Sequence, residues 1–326
     1  MRRIVGSSPR RAPGVAVLAA AAVAALVSAC MPPPPPPKPP VLAAACAHTL
    51  TASIPGTIAS NALTESSGIV ASRRASGVWW VHNDSGDSPR VFAVGTDGRD
   101  LGEFGLAGAS AVDWEDIAVG PGPSAGTSYL YVADIGDNAG SRASVQVYRV
   151  AEPLVDPTAA PGPPQTLSGV AALQLTYPDG PHDAEALVVD PTTGELFVIT
   201  KDLAGGVAKV FRSPANRGAG STTALTQVAT VALGAGQGVT GADITPAGDV
   251  VALRTYFSVV LYPRPAGQPL AQAFTQPSCA GSAPPFGSAT PASEPQGEAI
   301  GFTRDGRGYL TVSEGAHPAL HQFLAP

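Results

Sequence analysis

Five short segments of this chain share one pattern, in which acidic or polar residues run into an apolar stretch. The aligned aliphatic residues are Ile69, Ile117, Leu187, Ile244 and Ile300. Their spacing, between 48 and 70 residues, is typical of a β unit that is repeated around an axis or along a stack. This repeat constrains the fold more than any single motif does.

Each copy of the repeat is followed by a turn and by further short runs rich in β-branched and aromatic residues. These runs predict a second strand, a third and, in four copies, a fourth, and no segment shows sustained helical periodicity. Four antiparallel strands repeated radially form a propeller blade. We therefore predict an all-β propeller of five four-stranded blades, with a six-bladed ring that hides a degenerate blade in residues 156–175 as the alternative. The predicted fourth strands are residues 100–106, 165–175, 225–233 and 270–274.

The fifth copy has no fourth strand before residue 326, but residues 50–54 alternate as a strand does. We expect this N-terminal strand to close the last blade. Cys46 precedes that strand and Cys279 precedes the fifth copy. These two cysteines are the pair that remains once Cys30 is set aside as a candidate lipidation site. In an exported protein such a pair favours a disulfide, which would link the two ends of the ring where they meet.

The N-terminus has the pattern of a signal peptide. Four arginines precede an apolar run that ends in Ser28-Ala29-Cys30, and small residues before a cysteine resemble the lipobox of bacterial lipoproteins. We predict a signal peptide over residues 1–29, a lipidated Cys30 with a proline-rich tether over 30–46, and the propeller over 47–326. Acyl chains such as palmitate would hold the protein on the cell membrane or outer membrane, outside the cytoplasm. An ordinary signal peptide cut after Ala29 is the alternative.

The charge of the chain excludes two classes of partner. The chain has 19 Lys and Arg against 25 Asp and Glu, and four of its arginines lie in the predicted signal peptide. The net charge of −6 therefore becomes about −10 in the mature chain. Such a surface is unsuited to nucleic acid and to electrostatic docking on anionic lipid. We expect a monomer whose ligand is a small molecule, a glycan or a protein.

Carboxylates recur at the starts of the predicted innermost strands. Residues two and four positions before the aligned aliphatic residue lie on one side of an extended strand. In a propeller they would meet at the mouth of the central channel, where crowded like charges need a cation, basic partners or shared protons. Blade four differs, with Thr240 and Ala242 in these positions. The carboxylates predicted to converge are Glu65, Asp113, Glu115, Asp183, Glu185 and Glu298.

The ends of the predicted second strands open on the same face. Lys201 and Arg254 are predicted to face the carboxylates, and Asn83 and Glu314 are further candidate ligand-binding residues. Two turns of the form Asp-x-Gly-Asp could offer hard oxygen ligands to calcium, although such turns also form without a metal. The candidate calcium ligands are Asp84, Asp87, Asp134 and Asp137.

His82 and His182 lie near an Asp on that face, and either could act as a general base near neutral pH. The other candidate catalytic residues are Glu115, Asp183, Glu185 and Glu298. The chain contains no serine-hydrolase elbow, zinc-ligand spacing, phosphate loop or dinucleotide fingerprint.

The strand starts Asp113 to Ile117 and Asp183 to Leu187, together with Asn83-Asp84-Ser85-Gly86, resemble exported bacterial propellers of the TolB/NHL-like group and of the esterase-like phytase group. The resemblance covers most of residues 50–326 and implies a propeller and a calcium ion. It transfers no catalytic residue to this chain. Because no nucleophile–base pair is legible, we favour a ligand-binding lipoprotein, with a calcium-dependent ester or phosphoester hydrolase as the alternative.

Overall fold

The computed structural model describes residues 1, 6, 38–215, 218–283 and 293–326. Residues 38–326 form one compact unit, which includes residues 38–46 of the predicted tether. Cys30 and nearly all of the predicted signal peptide lie outside the described residues, as does the proline run up to residue 37. Within the part of the chain that is described, no helix is long and apolar enough to cross a membrane.

The unit consists of five sheets, one for each copy of the repeat. The first elements are helix α1 (Pro40–Ala47) and strand β1 (Thr51–Thr57). Blade one contains β2 (Ser66–Ala71), β3 (Val78–Asn83), β4 (Arg90–Gly95) and β5 (Asp100–Leu106). The chain continues through β6 (Trp114–Pro121), β7 (Ser128–Asp134), β8 (Val145–Ala151), β9 (Gln165–Leu167) and β10 (Ala171–Thr176). It then forms β11 (Ala184–Val189), β12 (Leu196–Thr200), β13 (Val207–Ser213), β14 (Thr222–Ala224) and β15 (Thr226–Ala232).

Blade four contains β16 (Val239–Ile244), β17 (Val250–Thr255), β18 (Val259–Pro263), a 3₁₀ helix (Leu270–Thr275) and β19 (Cys279–Ala280). Blade five contains β20 (Gly297–Phe302), β21 (Gly308–Ser313) and β22 (Ala319–Leu324). The innermost strands β2, β6, β11, β16 and β20 form a closed ring in which each lies beside two others. The predicted five-bladed propeller is thus confirmed, and the six-bladed alternative is wrong.

The N-terminal strand closes the ring as expected. β1 pairs antiparallel with β22 and so becomes the outermost strand of blade five. Cys46 and Cys279 form the predicted disulfide, which links the end of α1 to blade four. Helix α1 buries Val41 and Leu42 in an apolar cluster with residues of blades four and five, among them Val250 and Phe302. The N-terminal segment therefore packs against blades four and five and completes blade five.

Two predicted fourth strands differ from the observed ones. Residues 270–274 form the 3₁₀ helix, because Leu270, Ala273 and Phe274 bury one face at helical spacing. The short β19 is the fourth strand of blade four instead. Residues 165–175 form two strands separated by Gly169, whose φ of +75° breaks the extended chain. β9 extends blade one in parallel to β5, and β10 is the fourth strand of blade two.

Candidate functional site

Every innermost strand carries a β-bulge near its start, and the bulged residue faces the mouth of the channel. The register shifts place Ser67, Glu115, Glu185, Thr240 and Glu298 at this position. A bulge leaves one residue unpaired and redirects its side chain, and bulges are frequent beside functional sites. The repeated bulge is therefore what brings equivalent side chains of all five blades to one face.

The two neutral bulge residues have a structural role. The hydroxyl of Ser67 donates to the backbone oxygen of Glu115 at 2.6 Å. The hydroxyl of Thr240 donates to the backbone oxygen of Glu298 at 3.2 Å. Each hydroxyl thus joins its blade to the next one. The glutamates at the other three positions do not make this contact, which leaves their carboxylates available at the channel mouth.

Five carboxylates gather there in two triads that share Glu115. Oxygen atoms of Asp84, Asp113 and Glu115 lie within 4.8 Å of one another, and so do those of Glu115, Asp183 and Glu185. We call these five residues the acidic centre. Glu115 and Glu185 are buried at 3% and 4% exposure, whereas the three aspartates are partly exposed. The described residues thus place oxygen ligands at the spacing that a hard cation needs.

A close approach of the backbone makes room for the first triad. A methyl group at Gly136 would come within 2.1 Å of the Glu115 Oε1 atom and 2.5 Å of the Asp113 Oδ2 atom. Gly136 also donates its N–H to the backbone oxygen of Asp113 at 3.2 Å. Gly136 belongs to the second Asp-x-Gly-Asp turn, which the sequence predicted as a source of calcium ligands and not as the space beside the first triad.

One ammonium group adjoins the acidic centre. Lys201 Nζ lies 2.5 Å from Glu185 Oε1 and 5.2 Å from the ring centroid of Tyr256. Burial alone would lower the pKa of Lys201, but the Glu185 carboxylate outweighs it and raises the pKa, so the amine stays protonated. A single positive charge offsets only one of the five carboxylates.

Two further carboxylates border the acidic centre. Glu298 is 4% exposed, accepts a hydrogen bond from Gln296 Nε2 at 3.0 Å on one oxygen, and has no partner for its Oε2 atom among the described residues. Glu314 is partly exposed and occupies the position in blade five that Lys201 occupies in blade three. Glu65 is exposed and lies at the rim.

Crowding and burial raise the pKa values of these carboxyl groups. Burial is the first cause in each case: it raises the pKa of Asp113 to about 6, of Glu185 and Glu314 to about 7 and of Glu298 to about 8. The neighbouring carboxylates add to this effect. The pKa of Glu115 is raised well above its usual range, first by burial and then by the charges of Glu185 and Asp84. Without a cation, the site therefore holds protons at neutral pH.

Two buried aspartates that the sequence analysis missed hold the blades together beneath the acidic centre. Asp116 is fully buried and accepts backbone N–H groups from Ile117, Leu187 and Ala242, at 2.8, 2.8 and 3.2 Å. Asp243 accepts the N–H of Ile244 at 2.7 Å and that of Phe302 at 2.6 Å. Each carboxylate bonds strands of different blades, so these residues are structural and not part of the candidate site.

The candidate calcium ligands separate into two groups. Only Asp84 belongs to the acidic centre. Asp87 is bound by Arg90 at 2.8 Å, and Asp134 by Arg142 at 2.8 Å. Asp137 accepts the backbone N–H groups of Ser141 and Arg142 at 2.9 and 2.8 Å. Asp87, Asp134 and Asp137 are therefore held by protein donors, whereas Asp84 is the candidate calcium ligand that lies in a carboxylate triad.

Three other predicted site residues have structural environments. Asn83 accepts the backbone N–H groups of Thr64 and Glu65 at 3.1 Å each. His82 is fully buried, with Nδ1 2.7 Å from the Asn83 backbone oxygen, and burial lowers its pKa to about 4. His182 lies 2.8 Å from Asp179 and packs against Tyr177, and it is not a member of either triad. Neither histidine is placed as a general base for the acidic centre.

Arg254 does not lie beside Lys201 as expected. It is fully buried, and its Nη2 atom pairs with the carboxylate of Glu294 at 2.5 Å. In blade four the bulged residue is Thr240, whereas the alignment of the repeats had placed Ala242, two residues later, at the position equivalent to Glu115. This shift makes Tyr256 the equivalent of Lys201. The sequence contains no signal for this shift, because Ile244 matches the aliphatic residues on which the other four copies of the repeat are aligned.

Comparisons with known proteins identify no family for this chain. No protein-family profile and no curated protein matches the chain. Among solved structures, a candidate 6-phosphogluconolactonase from Bacteroides uniformis is similar at a TM-score of 0.38 and 15% identity, over 82% of this chain and 69% of that one. Raptor from Chaetomium thermophilum is similar at 0.37 and 12%, over 82% of this chain and 21% of that one. At TM-scores of 0.37 and 0.38, these two likenesses support no conclusion about this chain.

Proposed function

We propose that this protein is an exported, lipid-anchored propeller that binds a cationic ligand at its acidic centre. The observation that carries the proposal is the convergence of two carboxylate triads on Glu115, with Lys201 as the adjoining ammonium group. Like charges within 4.8 Å of one another repel in a partly buried site. A bound cation would replace the protons and relieve that repulsion.

The binding role rests on the difference between blades of one scaffold. The hydroxyls of Ser67 and Thr240 show how a bulge residue joins neighbouring blades. Glutamates at the other three bulges do not perform that role, and stability alone gives no reason to bury them. Their burial at the channel mouth is what a ligand site requires.

Anchoring by Cys30 is the second part of the proposal. The arginine-rich start, the apolar run and the cysteine support it. The tether would hold the acidic centre outside the cytoplasm at the cell membrane or the outer membrane, where it meets solutes. Labelling of cells with an alkyne-bearing palmitate tests this part, because Cys30→Ser is expected to abolish both the label and the membrane association.

The ligand proposal is tested by calorimetry on the mature protein in detergent, after treatment with a chelator. We expect Ca²⁺ or Mg²⁺ to bind saturably, with release of protons near pH 7. Glu115→Gln is expected to weaken binding at least tenfold, because it removes the carboxylate shared by both triads.

Glu195→Gln is the matched control for this experiment. It makes the same charge change in the turn before β12, where Glu195 pairs with Arg212 on the opposite face. Its affinity should equal that of the unmodified protein. Absence of saturable binding by any inorganic or organic cation would overturn the proposal.

A calcium-dependent hydrolase is the second candidate, and one observation favours it. Glu298, whose pKa burial raises to about 8, borders the two triads and could donate a proton to a leaving group beside a bound metal. The loose resemblance to esterase-like phytases points the same way. A panel of ester and phosphoester substrates with Ca²⁺ decides between the candidates, since only the hydrolase loses turnover in Glu298→Gln.

A further inference from the structure

A cavity of about 330 Å³ opens at the closure of blade five. Its walls come from the start of β20, from the loop between β21 and β22, and from the end of β1. We call it the seam cavity. Its volume equals about ten water molecules at ~30 Å³ each and lies at the lower end of small-molecule sites, which begin at about 300 Å³.

Among the described residues, none of the five in the acidic centre lines the seam cavity, but one carboxylate that borders that centre does. Glu314 lines the cavity. Burial raises its pKa to about 7, and the next contributions come from Asp84 and Glu65, which places this carboxyl group within electrostatic reach of both. A positive group bound against Glu314 would therefore also interact with the acidic centre.

One lining residue of the seam cavity carries a buried polar atom that has no hydrogen-bond partner among the described residues. His321 lines the cavity and is 5% exposed, yet its Nε2 atom forms no hydrogen bond among the described residues. Burial and the nearby Arg254 lower the pKa of His321, so its ring is neutral. A buried polar atom without a partner costs free energy unless a ligand or water completes it. This histidine is the observation, independent of the carboxylates, that points to a ligand.

The rest of the lining suits a small organic body. Pro295, Ala316 and Pro318 present carbon atoms to the cavity. Glu294 also lines it, but its two oxygens are occupied by Arg254 and by Thr311 Oγ1, the latter at 2.8 Å. The lining therefore includes the carboxylate of Glu314 and the imidazole nitrogen of His321, together with the polar side chains of Thr57 and His317.

We propose that the cationic ligand of this face is a small organic amine, with its ammonium group between Glu314 and the acidic centre and its body in the seam cavity against His321. This inference rests on the proposed function and names the class of ligand. A bare metal ion would satisfy the carboxylates but would leave the cavity and His321 Nε2 unused. An amine with a short carbon chain and a second polar group uses both.

Calorimetry on the mature protein with ethanolamine, choline, putrescine and spermidine as probes tests the proposal, with Ca²⁺ titrated in parallel. At least one amine should bind the unmodified protein saturably. His321→Ala should weaken that amine at least tenfold and change the Ca²⁺ affinity less than twofold. Glu314→Gln should weaken the amine as well.

A second variant keeps the test independent of the buried histidine. Ala316 is exposed on the loop that lines the cavity, so Ala316→Trp should block the cavity without disturbing the core. Ala247→Trp, in an exposed turn of the opposite face, is the matched control and should bind amines normally. Thermal unfolding of each variant reports whether its fold is intact.

The outcomes separate the two proposals. Binding of Ca²⁺ without binding of any amine would overturn the seam-cavity inference and leave the cation-binding function standing. Amine binding that is unchanged in both His321→Ala and Ala316→Trp would also overturn it. Absence of binding by metals and amines alike would overturn both proposals.

Discussion

At the scale of single residues, adjacent carboxylates in β6 have opposite roles. Glu115 faces the channel mouth and belongs to both triads, whereas Asp116 points into the ring and accepts three backbone N–H groups. Successive side chains of a strand alternate in direction, and the bulge at Glu115 sets which of the two faces the channel mouth. One position along the chain thus separates a site residue from a structural one.

Asp116→Ala should destabilise the domain by at least about 3 kcal/mol. It leaves the N–H groups of Ile117, Leu187 and Ala242 buried without an acceptor, at roughly 1–3 kcal/mol each. Urea unfolding followed by circular dichroism measures the loss. Glu115→Gln is the contrasting variant and should unfold at the same urea concentration or a higher one, because it replaces a crowded carboxyl group, whose pKa burial raises well above its usual range, by a neutral amide of similar size. Equal stability of Asp116→Ala and the unmodified protein would contradict the structural role.

Gly136→Ala should weaken cation binding at least tenfold. A methyl group there would overlap Glu115 Oε1 and Asp113 Oδ2, so these oxygens must move apart. Calorimetry with Ca²⁺ measures the change. Gly162→Ala is the matched control, since a methyl group at Gly162 meets no atom within 4 Å. Undiminished binding in Gly136→Ala would show that the first triad is not used.

At the scale of elements, the closure of the ring depends on two short N-terminal pieces. β1 supplies the outer strand of blade five, and α1 packs its apolar residues against blades four and five. The disulfide between Cys46 and Cys279 ties α1 to blade four across a sequence separation of 233 residues. A cross-link of this length removes much of the conformational freedom of the unfolded chain.

Replacing both cysteines by serine should lower the stability of the domain by up to about 5 kcal/mol. The same loss should follow when the unmodified protein is reduced, and the double serine variant should not respond to reductant. Thermal unfolding with and without a phosphine reductant measures both effects. An unchanged midpoint after complete reduction would mean that packing of α1 alone holds the seam.

At the scale of the whole molecule, the charge distribution predicts a dependence of stability on pH. Burial raises the pKa of Glu298 to about 8 and of Glu185 and Glu314 to about 7 in the folded protein. Their values in the unfolded chain are about 4.3. Between these limits the folded state binds more protons than the unfolded state, so stability falls as the pH rises.

Without a bound cation, the thermal midpoint should therefore be highest near pH 5 and should decrease towards pH 8. Glu298→Gln should flatten part of this decrease, because it removes the group with the highest of these pKa values. Circular dichroism at constant ionic strength measures the profile. A midpoint that rises between pH 5 and pH 8 would contradict the protonated state of the site. Added cation should restore stability at pH 8 if the proposed function holds.

The sequence alone determined the five-fold repeat, the closing N-terminal strand, the cysteine pair and the carboxylates at the strand starts. The strands can be recognised from the alternation of neighbouring residues, and the blades from the spacing of similar segments, so both are legible in the sequence itself. It mistook residues 270–274 for a strand, because a short apolar run has no period of its own.

Only the tertiary structure decided which of the polar residues form a site. It buried Arg254 with Glu294, moved the bulge of blade four to Thr240, gave Asp116 partners from three blades and left His321 facing a cavity. The physical reason is that hydrogen bonding and desolvation depend on atoms brought together by ring closure. Those partners lie up to 126 positions apart in the sequence.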